Sequence, residues 1–130
     1  MTPQKQTIFS VEKKGTVGNC LSACVASLLD LRIEDIPHFS WHMSDWFMVL
    51  YKFVEENGYS IVMRSVKQFP DWRQTEKGLN GFIIVGGASP RGIKNGHAVI
   101  DQNGHPFFDP HPDNDFIIEE WDIYVIEKTK

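Results

Sequence analysis

The sequence predicts an α+β fold in which helices come first and mostly antiparallel strands follow. Apolar residues recur at helical spacing only before residue 58. From residue 59 onward the chain breaks into short extended apolar runs separated by turn residues. Those runs follow one another largely as hairpins, an order that indicates α+β architecture and not βαβ units.

Taken in order, residues 7–11 read as an edge strand and residues 13–18 as a loop. Asn19 suits a helix N-cap, because its side-chain oxygen can accept an unpaired amide hydrogen of the first turn. From Cys20 the residues Leu21, Val25, Leu28 and Leu29 recur at helical spacing, with Ala23 and Ala26 between them. Cys20 therefore falls on the first turn of the best-defined helix. A second helix is expected over residues 44–57, with Trp46, Val49, Leu50, Phe53 and Val54 as its apolar stripe and Gly58 just past its end. Strands are expected over residues 59–66, 81–85, 97–101, 105–109 and 121–126.

With 130 residues, 42% of them hydrophobic, the chain suits a single domain spanning residues 1–130 with a buried core. A formal net charge of −4 argues against a nucleic-acid binder, which needs a basic face for phosphates. No apolar run approaches the roughly 20 residues that cross a bilayer, and the N-terminus lacks the apolar stretch of a signal peptide. We expect a cytoplasmic protein with no membrane association, a monomer or weak dimer.

Cys20 and Cys24 lie one helical turn apart, which leaves core filler, metal ligation or chemistry as their uses. A thiol becomes reactive when a helix N-terminus or an imidazolium favours its thiolate, and Cys20 has the first by position. The amide groups at that terminus, the Cys20 N–H among them, are also placed to hold an oxyanion. Taken alone, Cys20 reads equally well as a small buried hydrophobe. Cys24 shares a face with Leu28 and reads as core.

His97 opens the expected strand at residues 97–101, after a glycine-containing loop. A three-residue turn over Gln102, Asn103 and Gly104 would set His97 opposite Asp109, within reach of an orienting hydrogen bond. A two-residue turn would put them on opposite faces. In the first register, Asp109 fixes the ring of His97, which takes the proton of Cys20 and returns it to a leaving group.

These residues resemble the papain-like superfamily, in particular its peptidase C39-like branch. The stretch from Asn19 to Leu29 is similar to the nucleophile helix of that branch. Gly96-His97-Ala98-Val99-Ile100 resembles the strand bearing its histidine, and Phe108-Asp109-Pro110 its orienting Asp-Pro. Gly18-Asn19-Cys20, Ile36-Pro37-His38-Phe39, Ser89-Pro90-Arg91-Gly92 and Asp109-Pro110-His111-Pro112 also look like segments of small bacterial and phage proteins of this type. The likeness spans roughly residues 6 to 126, and it lacks the Cys-Gly-Ser/Ala-Cys-Trp/Tyr motif of true papains. It implies a nucleophile helix packed on a mostly antiparallel sheet, a Cys-His-Asp triad, and an oxyanion-hole glutamine upstream of the cysteine. Gln6 is the leading candidate for that glutamine, with Gln4 and Asn19 as fallbacks.

The implied activity is thiol-dependent hydrolysis of an amide or isopeptide bond in a peptide or protein, through a thioester and without cofactor. A catalytically silent binding module for a peptide or host protein is the alternative from another class. A transglutaminase- or deamidase-type acyl transferase is the alternative within the same chemistry. The loop over residues 86–96 leads into His97, and its Arg91 or Lys94 offers a cation to a carboxylate or phosphate. Trp41, in the aromatic run of residues 37–47, is a candidate substrate contact, although such runs are more often core. Trp72 is a candidate cleft lip. The run His105, Asp109, His111, Asp113, Asp115 and the pair His38 and His42 raise a metal site, but no paired-ligand motif is present and no metal is expected.

Overall fold

The computed structural model describes residues 1–11, 17–92 and 96–129, with only the backbone for residues 42 and 43. Of the sequence expectations, the loop residues 13–16, Lys94 and the side chain of His42 lie outside the described residues.

Among the described residues, two longer helices, a one-turn helix and a five-stranded antiparallel sheet make an α+β domain. Helix α1 (Cys20–Leu29) has every residue from Leu21 to Leu29 buried and ends on Asp30 in the left-handed conformation. A 3₁₀ turn (Ile33–Asp35) and a longer 3₁₀ segment (Phe39–Asp45) lead into α2 (Trp46–Glu56). The predicted second helix therefore begins two residues late, its first turn being wound as 3₁₀. Strand β1 (Tyr59–Ser65) follows, then a one-turn helix α3 (Trp72–Thr75). The remaining strands are β2 (Phe82–Ala88), β3 (His97–Gln102), β4 (His105–Phe108) and β5 (Glu119–Lys128).

The strand order is β1-β5-β2-β3-β4, with every neighbouring pair antiparallel. The two-residue period of a strand sorts the side chains into two cores. Phe82, Ile84, Ala98, Ile100, Tyr124 and Ile126 join one cluster with α1 and α2. Ile83, Val85, Val99, Ile123 and Val125 join the other with Trp72. Helix α1 lies over β3 and β2, and α2 lies over β1.

Three expectations are corrected. Residues 7–11 do not form a strand, and only Val11 makes a bridge. Their backbone bonds to Asn19, not to a sheet edge. Trp72 is no cleft lip: it is 1% exposed and fills the second core, with the Arg73 guanidinium 4.3 Å above its ring. The β3–β4 hairpin turns on two residues, Asn103 and Gly104, both at positive φ, so that Gln102 pairs with His105. Two consecutive positive-φ residues match the twist of the flanking strands.

Candidate functional site

Helix α1 points its first turn at the start of β3, and this brings Cys20 and His97 together although 77 positions separate them. Cys20 is half-buried, whereas Cys24 one turn on is fully buried. Burial pushes the Cys24 thiol well above its ordinary value, with the neighbouring Cys20 and Asp109 adding to the effect. Cys24 is thus core, as its place on the helix face predicted.

His97 lies at the entrance of β3, where the preceding backbone is closely packed. The preceding Gly96 has φ +76°, and a Cβ there would sit 2.5 Å from the Gly87 carbonyl oxygen and 2.6 Å from the Trp121 ring. Only glycine fits that approach. Across the sheet, β2 carries a register shift between Gly86 and Gly87, the latter being the partner of His97.

The Nε2 atom of His97 lies 2.6 Å from Oδ1 of Asp109, with both residues buried. The register that produces this pair differs from the expected one. The two-residue turn alone would have placed the side chains on opposite faces. A bulge between Ile100 and Asp101 inserts one extra residue in β4, so Ile100 faces Phe108 and Asp109 recovers the parity of His97. The expected partnership holds, but by a different turn and a bulge.

Asp109 is fully engaged. Its Oδ1 also accepts the His111 amide at 2.8 Å, and Oδ2 accepts the Phe116 amide at 2.8 Å. Burial raises its pKa, yet the hydrogen bonds from His97 and from these two amides outweigh burial and leave it below the usual value. For His97 burial acts downward, while hydrogen bonds to Asp109 and Cys20 and the charges of both act upward and prevail. Its pKa rises from 6.5 to about 9, so the ring is protonated at neutral pH. With Nε2 on Asp109, Nδ1 is the nitrogen left for Cys20.

Asn19 occupies the N-cap position of α1 but makes no side-chain cap bond. Its Oδ1 instead accepts the amides of Thr7 at 3.0 Å and Ile8 at 2.9 Å, and its Nδ2 donates to Thr7 Oγ1 at 2.9 Å. The segment carrying Gln6 is thereby fastened to the start of the nucleophile-bearing helix. Gln6 is 7% exposed; its Nε2 donates to the Ile8 carbonyl at 2.9 Å, and its buried Oε1 has no partner among the described residues. Gln4, a fallback, is spent elsewhere: it bonds Ala26, Leu31 and Ile33 at the far end of α1. Asn19, the other fallback, has its polar atoms committed to Thr7 and Ile8.

Cys20 and His97 lie between two cavities. The larger, about 490 Å³, is mainly apolar, walled by Leu21, Trp46, Ala98, Trp121 and Tyr124. The smaller, about 70 Å³, has a mixed lining in which Gln6, Ser10, Arg91 and His111 stand beside Phe9. Arg91 therefore stands beside the Cys20–His97 pair, as the sequence led us to expect. Trp41 does not: it is 64% exposed and lines neither cavity. In a 3₁₀ segment with three residues per turn, the inward face is taken by the buried Phe39, and Trp41 two positions on points elsewhere. Ser40, Ser44 and Trp46 take the cavity wall in its place. Ser10, His111, Trp121 and Tyr124 were not foreseen; their positions depend on loop and strand geometry that no local pattern encodes.

No family model, curated protein or solved structure matches the chain. Among the described residues, no helix is long and apolar enough to cross a membrane.

Proposed function

We propose that the protein is a papain-like thiol hydrolase of C39-like type, cleaving an amide or isopeptide bond with Cys20 as nucleophile. The observation that carries this reading is the convergence of Cys20 and His97 between two cavities, with His97 held by a fully hydrogen-bonded Asp109. A structural histidine would need no thiol at its second nitrogen, and a core cysteine would not line a cavity.

The imidazolium of His97 supplies the counter-charge to a Cys20 thiolate. Sulfur attacks the substrate carbonyl carbon, and the carbonyl π pair moves to oxygen. That oxyanion is held by the Cys20 N–H and by the Gln6 Nε2 hydrogen not given to Ile8. As the tetrahedral species collapses, the C–N bond breaks and His97 delivers its proton to the departing amine. Water then gives a proton to His97 and attacks the thioester; the C–S bond breaks, releasing the acid, and the thiolate–imidazolium pair is restored. Asp109 holds the ring in one orientation throughout.

Trapping with electrophilic peptide, ubiquitin-like and glutamine-mimic probes, read by mass spectrometry, tests the reading. An adduct on Cys20 that disappears in Cys20→Ala is expected. If no probe modifies Cys20, or if Cys20→Ala keeps the full biological effect, the domain acts by binding instead.

A further inference from the structure

The smaller cavity beside Cys20 has two polar atoms that find no partner among the described residues. Gln6 Oε1 and one guanidinium nitrogen of Arg91, Nη1, are both buried without a hydrogen-bond partner among the described residues. Leaving a charged donor buried and unpaired is costly, so such an atom is a standing site for a counter-group. His111 adds a further donor. Its Nδ1 accepts the Asp113 amide at 3.0 Å, so in the neutral ring the hydrogen sits on Nε2. Ser10 Oγ accepts the Gly18 amide at 2.8 Å, which leaves its hydroxyl hydrogen free to turn inward. Among the described residues, no carboxylate lines the cavity. At about 70 Å³ it has room for a small group and not for a long side chain.

Resting on the thiol-hydrolase reading, we infer that the substrate carries a free carboxylate close to the scissile carbonyl, received by Arg91 and His111, while an apolar group occupies the larger cavity. The polarity of the two cavities makes the assignment. A guanidinium binds a carboxylate through charge-assisted hydrogen bonds, whereas the larger cavity is mainly apolar, carries the Asp122 carboxylate on its wall and offers no Lys or Arg among the described residues.

Iodoacetate and iodoacetamide test this without a known substrate, since they differ only by a carboxylate against its neutral amide. Their rates on Cys20, followed by peptide mass spectrometry, are compared with those on N-acetylcysteine. The expected result is an iodoacetate-to-iodoacetamide ratio about tenfold above that of the free thiol, the effect of one charge-assisted hydrogen bond. Arg91→Gln should bring the ratio down toward the free-thiol value, and Arg91→Lys should keep part of it. Chloroacetyl-glycine against its amide, and chloroacetyl-aspartic acid α-amide against chloroacetyl-asparagine amide, then distinguish a terminal from a side-chain carboxylate; selection in either supports the inference. Fast labelling of Cys20 with a free-thiol ratio overturns the carboxylate assignment and leaves the nucleophile standing. Labelling of Cys20 no faster than Cys24 by either reagent overturns the hydrolase reading itself.

Discussion

His97 Nε2 lies 2.6 Å from Asp109 Oδ1, and the same carboxylate accepts the backbone amides of His111 and Phe116. One buried side chain thus fixes the imidazole and the loop that follows β4. Asp109→Ala would strand these donors and leave the protonated ring without its counter-ion. It should lower stability by about 3–5 kcal/mol, the usual effect of breaking a buried charge pair, whereas Asp109→Asn should cost less because it keeps an acceptor. Denaturant unfolding with both variants checks the order.

Stability should depend on pH through this pair, with opposite signs for its members. His97 has a folded pKa of about 9 against 6.5, so its contribution is full below 6.5 and is lost as pH rises through 9. Asp109 is held below its ordinary 3.8, so its contribution is present above 3.8 and disappears as pH falls through the folded value. Melting curves across pH should show both flanks, and His97→Gln should remove the alkaline one. An alkaline flank unchanged in that variant would refute the assignment.

Gly96→Ala should damage the site without touching its chemistry. A Cβ at φ +76° would meet the Gly87 carbonyl and Trp121, at a cost of about 2–4 kcal/mol in backbone strain and overpacking. The strain falls on the residue before His97, so alkylation of Cys20 should slow together with the loss of stability. A stable variant with unchanged Cys20 reactivity would show that His97 does not depend on this approach.

Gln6 and Asn19 should separate oxyanion stabilisation from nucleophile activation. Gln6→Ala should reduce turnover of an acyl substrate by about 10²–10³, as for other oxyanion donors, yet leave iodoacetamide alkylation of Cys20 largely intact because that reaction forms no oxyanion. Asn19→Ala should show the same split more weakly, since it frees the segment that carries Gln6. Equal losses in both assays would assign Gln6 a structural part instead.

Much of the fold was legible because α1, α2 and all five strands carry strong periodic patterns. The register of β3 and β4 was not: Gln102-Asn103-Gly104 permits a two- or a three-residue turn, and the bulge that re-aligns Asp109 has no signature in the local residue pattern. Asn19 read as a cap from composition, but nearby amides at Thr7 and Ile8 compete for the same oxygen, and tertiary contact prevailed. Trp72 and Trp41 show the corresponding limit for aromatics. Trp41 was expected to touch substrate and Trp72 was a weaker candidate for a cleft lip, and only the packing of α3 and the winding of residues 39–45 decide that Trp72 is core and Trp41 exposed without lining the site.

The most direct test of the account is the rate of iodoacetamide alkylation at Cys20 and Cys24 at neutral pH, in the native chain and in His97→Ala. The account predicts that Cys20 reacts far faster than Cys24 and that His97→Ala removes most of this advantage. A Cys20 rate indifferent to the loss of His97 would contradict it.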